Sequence, residues 1–132
     1  MRVVVDTNVF VSSFFGGHPR EIIEQWKQGA ITLCVSGELV DEYVEVLTRL
    51  DLANDLLEEL LGLLATGYNL AFTSSTSPLE VIRDDPDDNM LFECAVALKA
   101  EAIITGDKAV RAVERYMNID VLTPAEFLAR PR

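Results

Sequence analysis

The sequence has 132 residues, of which 49% are hydrophobic, so it can bury a core of ordinary size and we expect one domain over residues 1–132. Its formal net charge of −11 argues against broad electrostatic binding to nucleic acid, unless some acids converge on one site and hold divalent cations. It has neither an apolar run of membrane-spanning length nor a signal-peptide pattern, so we expect no membrane association and a cytoplasmic location. The two cysteines, Cys34 and Cys94, have no metal-like spacing and predict buried free thiols.

The first strand leads directly into the first candidate acid. Residues 3–5 are three valines, which are β-branched and apolar, so they predict a strand buried on both faces of a parallel sheet. Asp6 follows at the carboxyl end of this strand, where open α/β sheets place their chemistry. The alternative is a simple turn, in which Asp6, Thr7 and Asn8 bond to their own backbone.

Helical and strand patterns alternate after this point. Residues 10–15 are apolar and predict a short helix, and a second helix with apolar residues at helical spacing ends near Gly29. Residues 30–35 predict the second strand. This alternation is typical of an α/β fold.

The next helix, capped by Ser36 and running to about Leu50, carries the second candidate acid. At about 100° per residue, Glu42 lies about 100° from the centre of the apolar face, whereas the other acids of this helix lie roughly 140° to 160° away. Glu42 alone borders the core, so we select it as a site residue. A solvated surface acid is the alternative.

A leucine-rich helix is predicted over residues 53–64, and it ends near Gly67. Its leucines indicate packing against the core or against a partner, and we expect a homodimer or higher oligomer. Residues 69–73 predict a third strand, and residues 74–78 form a polar loop.

An aspartate-rich stretch precedes the apolar helix predicted over residues 90–100. Asp85 as N-cap and Pro86 at the first helical position would place Asp87 and Asp88 in the first turn. The positions three, four and seven after Asp88 are apolar, so its carboxylate should lie over the packed side, while Asp87 points elsewhere. We select Asp88 as the site residue, with Asp85 in reserve; capping and the helix dipole account for some of these acids.

The fourth strand, predicted over residues 102–105, repeats the layout of the first. Thr105 ends its apolar run, and Asp107 follows after a glycine. If the first and fourth strands are neighbours, Asp6 and Asp107 flank the point where the strand order reverses, and the two strand ends predict a shared cleft.

Three basic residues follow the fourth strand at spacings of three and four: Lys108, Arg111 and Arg115. The spacing predicts that they share one face of the next helix. Contacts with substrate phosphates are one interpretation of this face, and a solvated helix surface is the other. Residues 119–122 then predict the last strand, and Pro124 begins a short terminal helix.

These elements predict a three-layer α/β/α fold with a mainly parallel, five-stranded sheet. Glu42 and Asp88 would join Asp6 and Asp107 from helices that begin on the same side of the sheet. Four carboxylates without a neighbouring His or Cys suit Mg²⁺ or Mn²⁺, which prefer oxygen ligands. Such metals activate water and stabilise the charge that develops on a phosphodiester in nucleases.

The sequence resembles the PIN-domain family over nearly its whole length. The matching segments are residues 4–9, 42–47, 85–89 and 104–107, and residues 122–128 resemble the ending of one PIN subgroup. The resemblance implies the sheet order 3-2-1-4-5 and a metal-dependent ribonuclease. It further implies an RNA substrate, and often the toxin role in a prokaryotic toxin/antitoxin pair, with a small antitoxin protein as partner.

The same resemblance assigns the site residues. Metal ligation and catalysis fall on Asp6, Glu42, Asp88 and Asp107. Asn8 and Thr105 become supporting polar groups, and the cofactor becomes Mg²⁺ or Mn²⁺.

Two other functions remain open from the residues. A haloacid-dehalogenase-type phosphatase also begins with a strand that ends in Asp, but it needs a second Asp two positions later, where this chain has Asn8. A catalytically silent interaction module would use its acids as helix caps and present a leucine-rich side to a partner. Metal-dependent cleavage of RNA distinguishes the nuclease from this module.

Overall fold

The computed structural model describes residues 1–50 and 54–130. The strands are β1 (Arg2–Val5), β2 (Thr32–Ser36), β3 (Leu70–Thr73), β4 (Ala102–Ile104), β5 (Arg115–Tyr116) and β6 (Ile119–Leu122). The helices are α1 (Thr7–Ser13), α2 (Gly17–Lys27), α3 (Gly37–Arg49), α4 (Asp55–Thr66), α5 (Pro86–Ala97), α6 (Lys108–Arg111) and α7 (Pro124–Leu128).

Within the described residues, the sheet has six strands in the order β3-β2-β1-β4-β6-β5. All neighbouring strands pair in parallel except β5 and β6. A mainly parallel sheet with the first strand in its middle is therefore confirmed, and the five parallel strands follow the predicted order. The predicted strand count was too low by one, because the two-residue strand β5 adds to the edge and pairs antiparallel with β6.

The middle of the sheet is covered on both faces. Successive side chains of a strand point to opposite faces, yet Val3, Val4 and Val5 are all between 0% and 1% exposed. Helix α5 packs against β1, β2 and β4, and the ring of Phe10 on α1 lies 4.6 Å from that of Tyr43 on α3. This burial on both faces is the three-layer arrangement that the sequence predicts.

Most helix ends follow their local signals. The side chain of Ser36 caps α3, Asp85 caps α5 with a proline next to it, and Gly67 ends α4 with a φ of 72°. Helix α1 begins at Thr7, earlier than predicted, whereas the predicted start of α4 at residue 53 lies outside the described residues. None of the helices in the described part of the chain is long and apolar enough to cross a bilayer.

The three basic residues after the fourth strand do not share a helix face, and that prediction was wrong. Helix α6 spans only Lys108–Arg111, and Arg115 lies on β5. Glu114 has a φ of 63°, a left-handed conformation through which an α-helix cannot continue. Beyond it, the ring of Tyr116 packs edge-on against Phe92 and the chain pairs with β6. Tertiary packing therefore overrides the helical spacing of these residues.

The leucines of α4 and the two cysteines contribute to the hydrophobic core. On α4, Leu57, Leu60 and Leu64 are buried, so its leucines serve this chain's own core. Cys34 and Cys94 are buried free thiols, as predicted. Burial raises the pKa of Cys34 to about 11 and that of Cys94 to about 12, so both stay protonated and inert at neutral pH.

Candidate active site

The carboxyl ends of β1 and β4 lie side by side. Val5 pairs with Ile104, and the N–H of Asp6 donates to the carbonyl of Ile104 at 2.9 Å. Because β2 lies on the other side of β1, these two ends form the point where the strand order reverses. The structure thus places Asp6 and Asp107 at one edge of the sheet, after adjacent strands.

Thr105 connects these two acids. Its hydroxyl donates to Oδ2 of Asp6 at 2.7 Å, and its Oγ1 accepts from the N–H of Asp107 at 3.0 Å. Burial raises the pKa of Asp6, the hydrogen bond from Thr105 opposes that rise, and the negative charge of Asp107 adds to it. Asp6 is therefore a buried, oriented carboxyl group whose proton is held more tightly than usual.

Asp107 has a second task at the start of α6. Its Oδ1 accepts from the N–H groups of Ala109 at 2.8 Å and Val110 at 3.2 Å, which makes it the N-cap. A carboxylate has two oxygens, so capping through Oδ1 leaves Oδ2 as a ligand atom.

Helix α3 brings Glu42 to the same edge. Its Oε2 accepts from the hydroxyl of Thr7 at 2.6 Å, and Thr7 follows Asp6 directly. The next residue on the helix, Tyr43, donates its hydroxyl to the carbonyl of Val5 and so fixes α3 to the end of β1. Glu42 is half-buried, while the other acids of α3 are exposed, which agrees with the angular ranking from the sequence.

The first turn of α5 supplies Asp88. Asp85 caps the helix by accepting from the N–H of Asp88 at 3.1 Å, and Asp87 is exposed. Asp88 is half-buried, and its pKa rises to about 7 because of burial, the hydrogen bond with Asp85, and the negative charges of Asp107, Asp85 and Asp6. The negative charges of Asp107 and Asp6, at the carboxyl ends of β4 and β1, therefore act on Asp88.

Asn89 positions this turn, and the sequence reasoning missed its role. Its Oδ1 accepts from the N–H groups of Val81 at 2.9 Å and Ile82 at 2.7 Å, and its Nδ2 donates to the carbonyl of Ile82 at 2.8 Å. Asn89 is buried, so it holds the preceding loop against α5. A polar amide at the start of an apolar helix was the available signal.

The other predicted polar and basic residues do not join the acids. Asn8 is exposed on α1 and lines a small cavity of about 130 Å³ together with Ser12 and Gly106. Lys108 and Arg111 are exposed next to Asp107, whereas Arg115 lies on β5 with its guanidinium 3.5 Å from Asp120. A larger groove of about 340 Å³ lies between the end of α5 and the start of β6, at the amino ends of β4 and β6. None of the four candidate acids lines it.

The candidate acids offer only oxygen donors to a divalent cation. Across residues 1–50 and 54–130, no three His, Cys, Asp or Glu side chains converge closely enough to hold a metal ion as they stand. The oxygen donors nevertheless suit Mg²⁺ or Mn²⁺, and the repulsion that raises the pKa of Asp88 is the kind that a cation relieves. Because these carboxylates do not converge as they stand, binding would require them to move closer together, while Glu42 can keep Thr7 on Oε2 and Asp107 can keep the cap on Oδ1. The carboxylate oxygens of these residues therefore have the chemistry that Mg²⁺ or Mn²⁺ prefers in its ligands.

The sheet and its edge define a class: a three-layer α/β domain with carboxylates at the switch point of a mainly parallel sheet. The family model for the PIN domain matches residues 2–109, and the chain belongs to the PIN-domain family. Members of this family are typically metal-dependent nucleases, so the chain belongs among hydrolases of phosphodiester bonds and not among haloacid-dehalogenase-type phosphatases. No curated protein matches the chain closely.

Proposed function

We propose that the protein is a metal-dependent endoribonuclease in which Asp6, Glu42, Asp88 and Asp107 hold Mg²⁺ or Mn²⁺. The observation that carries the proposal is geometric: Asp6 and Asp107 follow the adjacent strands β1 and β4 where the strand order reverses, and Thr105 hydrogen-bonds to both. Burial and the negative charges of Asp107 and Asp6 also raise the pKa of Asp88. Three carboxylates that repel one another at the reversal point of the sheet suit a cation site better than a purely structural role.

Each residue has a defined part in this proposal. When bound, the cation activates water and stabilises the charge that develops on the phosphodiester. Thr105 orients Asp6, and Thr7 orients Glu42, so both ligands are held by neighbouring hydroxyl groups. Asp88 must lose its proton to serve as a ligand, so metal binding should tighten as the pH rises towards and past 7.

The competing function, a silent interaction module, explains some of the acids as helix caps. Asp85 and Asp107 do cap α5 and α6. Asp6 occupies the N-cap position of α1, but its side chain forms no cap hydrogen bond there. The nearby N–H groups of Asn8 and Thr7 favour its charged form and lower its pKa, against the larger effect of burial. The hydrogen bond from Thr105 to the buried carboxylate of Asp6 supports the nuclease, because a helix cap does not require it.

The decisive experiment compares RNA cleavage by Asp6→Asn and Asp41→Asn. We expect wild type to cleave single-stranded RNA with Mg²⁺ or Mn²⁺ and not in chelator. Asp6→Asn should lose at least about a hundredfold in rate, on the scale of a missing charge-stabilising group in a catalytic site. Asp41 is an exposed acid on α3, so its variant should cleave as wild type does. Full activity in Asp6→Asn would contradict the ligand role.

We propose further that Lys108 and Arg111 contact substrate phosphates, because both are exposed beside Asp107. Replacing both with Gln should weaken binding to every single-stranded RNA alike. The plot of log K against log salt should become shallower, with the magnitude of its slope reduced by about 1.4. Arg115→Gln is the matched control, since its guanidinium faces Asp120 on the sheet edge. An equal effect per charge removed in the control would assign the change to net charge alone.

The resemblance to PIN proteins supports a cytoplasmic toxin restrained by a small antitoxin protein, and we propose this role and a homodimer or higher oligomer. Expression of wild type should arrest growth, and Asp6→Asn should not. Coexpression of a small protein encoded beside the gene should restore growth, and sedimentation should give the oligomeric state. Growth unaffected by active wild type would contradict the toxin role without touching the nuclease.

A further inference from the structure

We infer that Phe15 is a stacking platform for a base of single-stranded RNA, an inference that rests on the nuclease function proposed above. Phe15 is 86% exposed, more than any other large apolar side chain in the described residues. Its side chain lies outside the hydrophobic core. An aromatic ring held in solvent beside a nucleic-acid site is the usual means of binding unpaired bases.

The position of Phe15 follows from α1. The N–H of Phe15 donates to the carbonyl of Ser12 at 3.0 Å, so the helical turn continues beyond Ser13. Asn8, Ser12 and Phe15 are separated by four and three residues and therefore share one face. All three are exposed, whereas Ser13 is buried. This face begins two residues after Asp6 and ends at the aromatic ring.

The same face borders a cavity next to the acids. Asn8 and Ser12 line the cavity of about 130 Å³, and Gly106 closes it from the β4 side. At 1.5 Å per residue, Phe15 lies about 10 Å along the helix from Asn8. About three stacked nucleotides span that distance at 3.4 Å each. A strand with its phosphate at the acids can thus reach the ring with a nearby base.

The turn that carries Phe15 is built and held in place. Arg20 donates from Nε to the carbonyl of Ser13 at 2.5 Å and from a terminal nitrogen to that of Phe14 at 3.2 Å. Gly16, with a φ of 84°, then reverses the chain. The backbone that carries the ring is therefore held in a defined place, which lowers the entropy lost on binding. Stacking also needs no basic charge, which suits a chain of net charge −11.

The experiment measures cleavage kinetics on an unstructured RNA 10-mer with Mn²⁺ for wild type, Phe15→Ala, Phe15→Trp and Phe72→Ala. Phe72 is the matched control, a 58% exposed phenylalanine on the edge strand β3. Phe15→Ala should raise KM about tenfold, the order of one lost base stack, with kcat nearly unchanged. Phe15→Trp should keep a low KM, and its fluorescence should be quenched when RNA binds. Phe72→Ala should behave as wild type.

Several results would overturn the inference. An unchanged KM in Phe15→Ala, together with active wild type, refutes it and leaves the nuclease standing. A Phe15→Ala protein that turns from oligomer to monomer in sedimentation, with unaltered KM, assigns the ring to a protein contact instead. Wild type that neither binds nor cleaves RNA with metal refutes the proposed function and this inference together. Matching melting temperatures of the variants exclude misfolding, since the replaced ring lies outside the core.

Discussion

Replacing Asp88 with Asn should stabilise the metal-free protein at alkaline pH. The carboxyl group of Asp88 is half-buried beside Asp85, Asp107 and Asp6, and its pKa rises from 3.8 to about 7. Above that pH the folded protein must carry a negative charge that its neighbours oppose. Asparagine keeps the shape of the side chain and removes the charge, so it relieves this repulsion.

The sign and size follow from the two pKa values. Between about pH 4 and pH 7 the folded chain holds a proton on Asp88 that the unfolded chain has lost, so the free energy of unfolding falls as pH rises through this window. At about 1.4 kcal/mol per pKa unit, the full shift corresponds to on the order of 4 kcal/mol. Solvent screens a half-buried charge, so we expect roughly 2 kcal/mol at about pH 8 and almost none near pH 4.

The assay is urea denaturation in chelator at several pH values, with Asp87→Asn as control. Asp87 is exposed in the same turn of α5, so its variant should differ little from wild type at any pH. Saturating Mg²⁺ should reverse the order, because a ligand that binds only the folded state stabilises the protein with the intact site. Equal stability of the Asp88→Asn and Asp87→Asn variants at about pH 8 would refute the reasoning.

Three further substitutions test side-chain hydrogen bonds, each by urea denaturation. Thr105→Val removes the hydroxyl that donates to Asp6, so it should raise the pKa of that acid further and lower the free energy of unfolding at neutral pH by about 1–3 kcal/mol. Asn89→Ala leaves three backbone groups of the preceding loop without their partner and should lower the free energy of unfolding by about 3 kcal/mol. An unchanged free energy of unfolding would mean that water replaces the amide. Tyr43→Phe should lower it by about 1–2 kcal/mol, because the carbonyl of Val5 loses its donor; retained stability would show that this bond contributes nothing net.

Local signals in the sequence predicted most of the fold correctly. Ser36 and Asp85 cap their helices, Gly67 ends one in a left-handed conformation, and the valines of β1 mark the middle of the sheet. Each of these signals acts within a few residues, where backbone preference and side-chain chemistry decide the outcome. The angular position of Glu42 was predictable for the same reason, because helix geometry fixes it.

Features that depend on distant contacts were not predictable from spacing. The three basic residues after β4 show helical spacing, but the packing of Tyr116 on Phe92 and pairing with β6 turn Arg115 into a strand residue. Likewise, Asn89 binds backbone groups seven and eight residues earlier in a loop without periodic pattern. The sequence patterns located both segments but did not predict the contacts that their side chains make.

The hydrogen bond between Thr105 and Asp6 joins residues 99 positions apart, and β1 cannot complete its pairing until β4 exists. During synthesis the acid at position 6 therefore lacks its partner strand until Thr105, 99 positions later, has left the ribosome. Parallel pairing over such separations is also slow to form, since a long loop must close before any contact compensates for it. The nascent chain thus carries the first acid of its candidate site well before the residue that orients it, and that end of the sheet forms only after β4 has been synthesised.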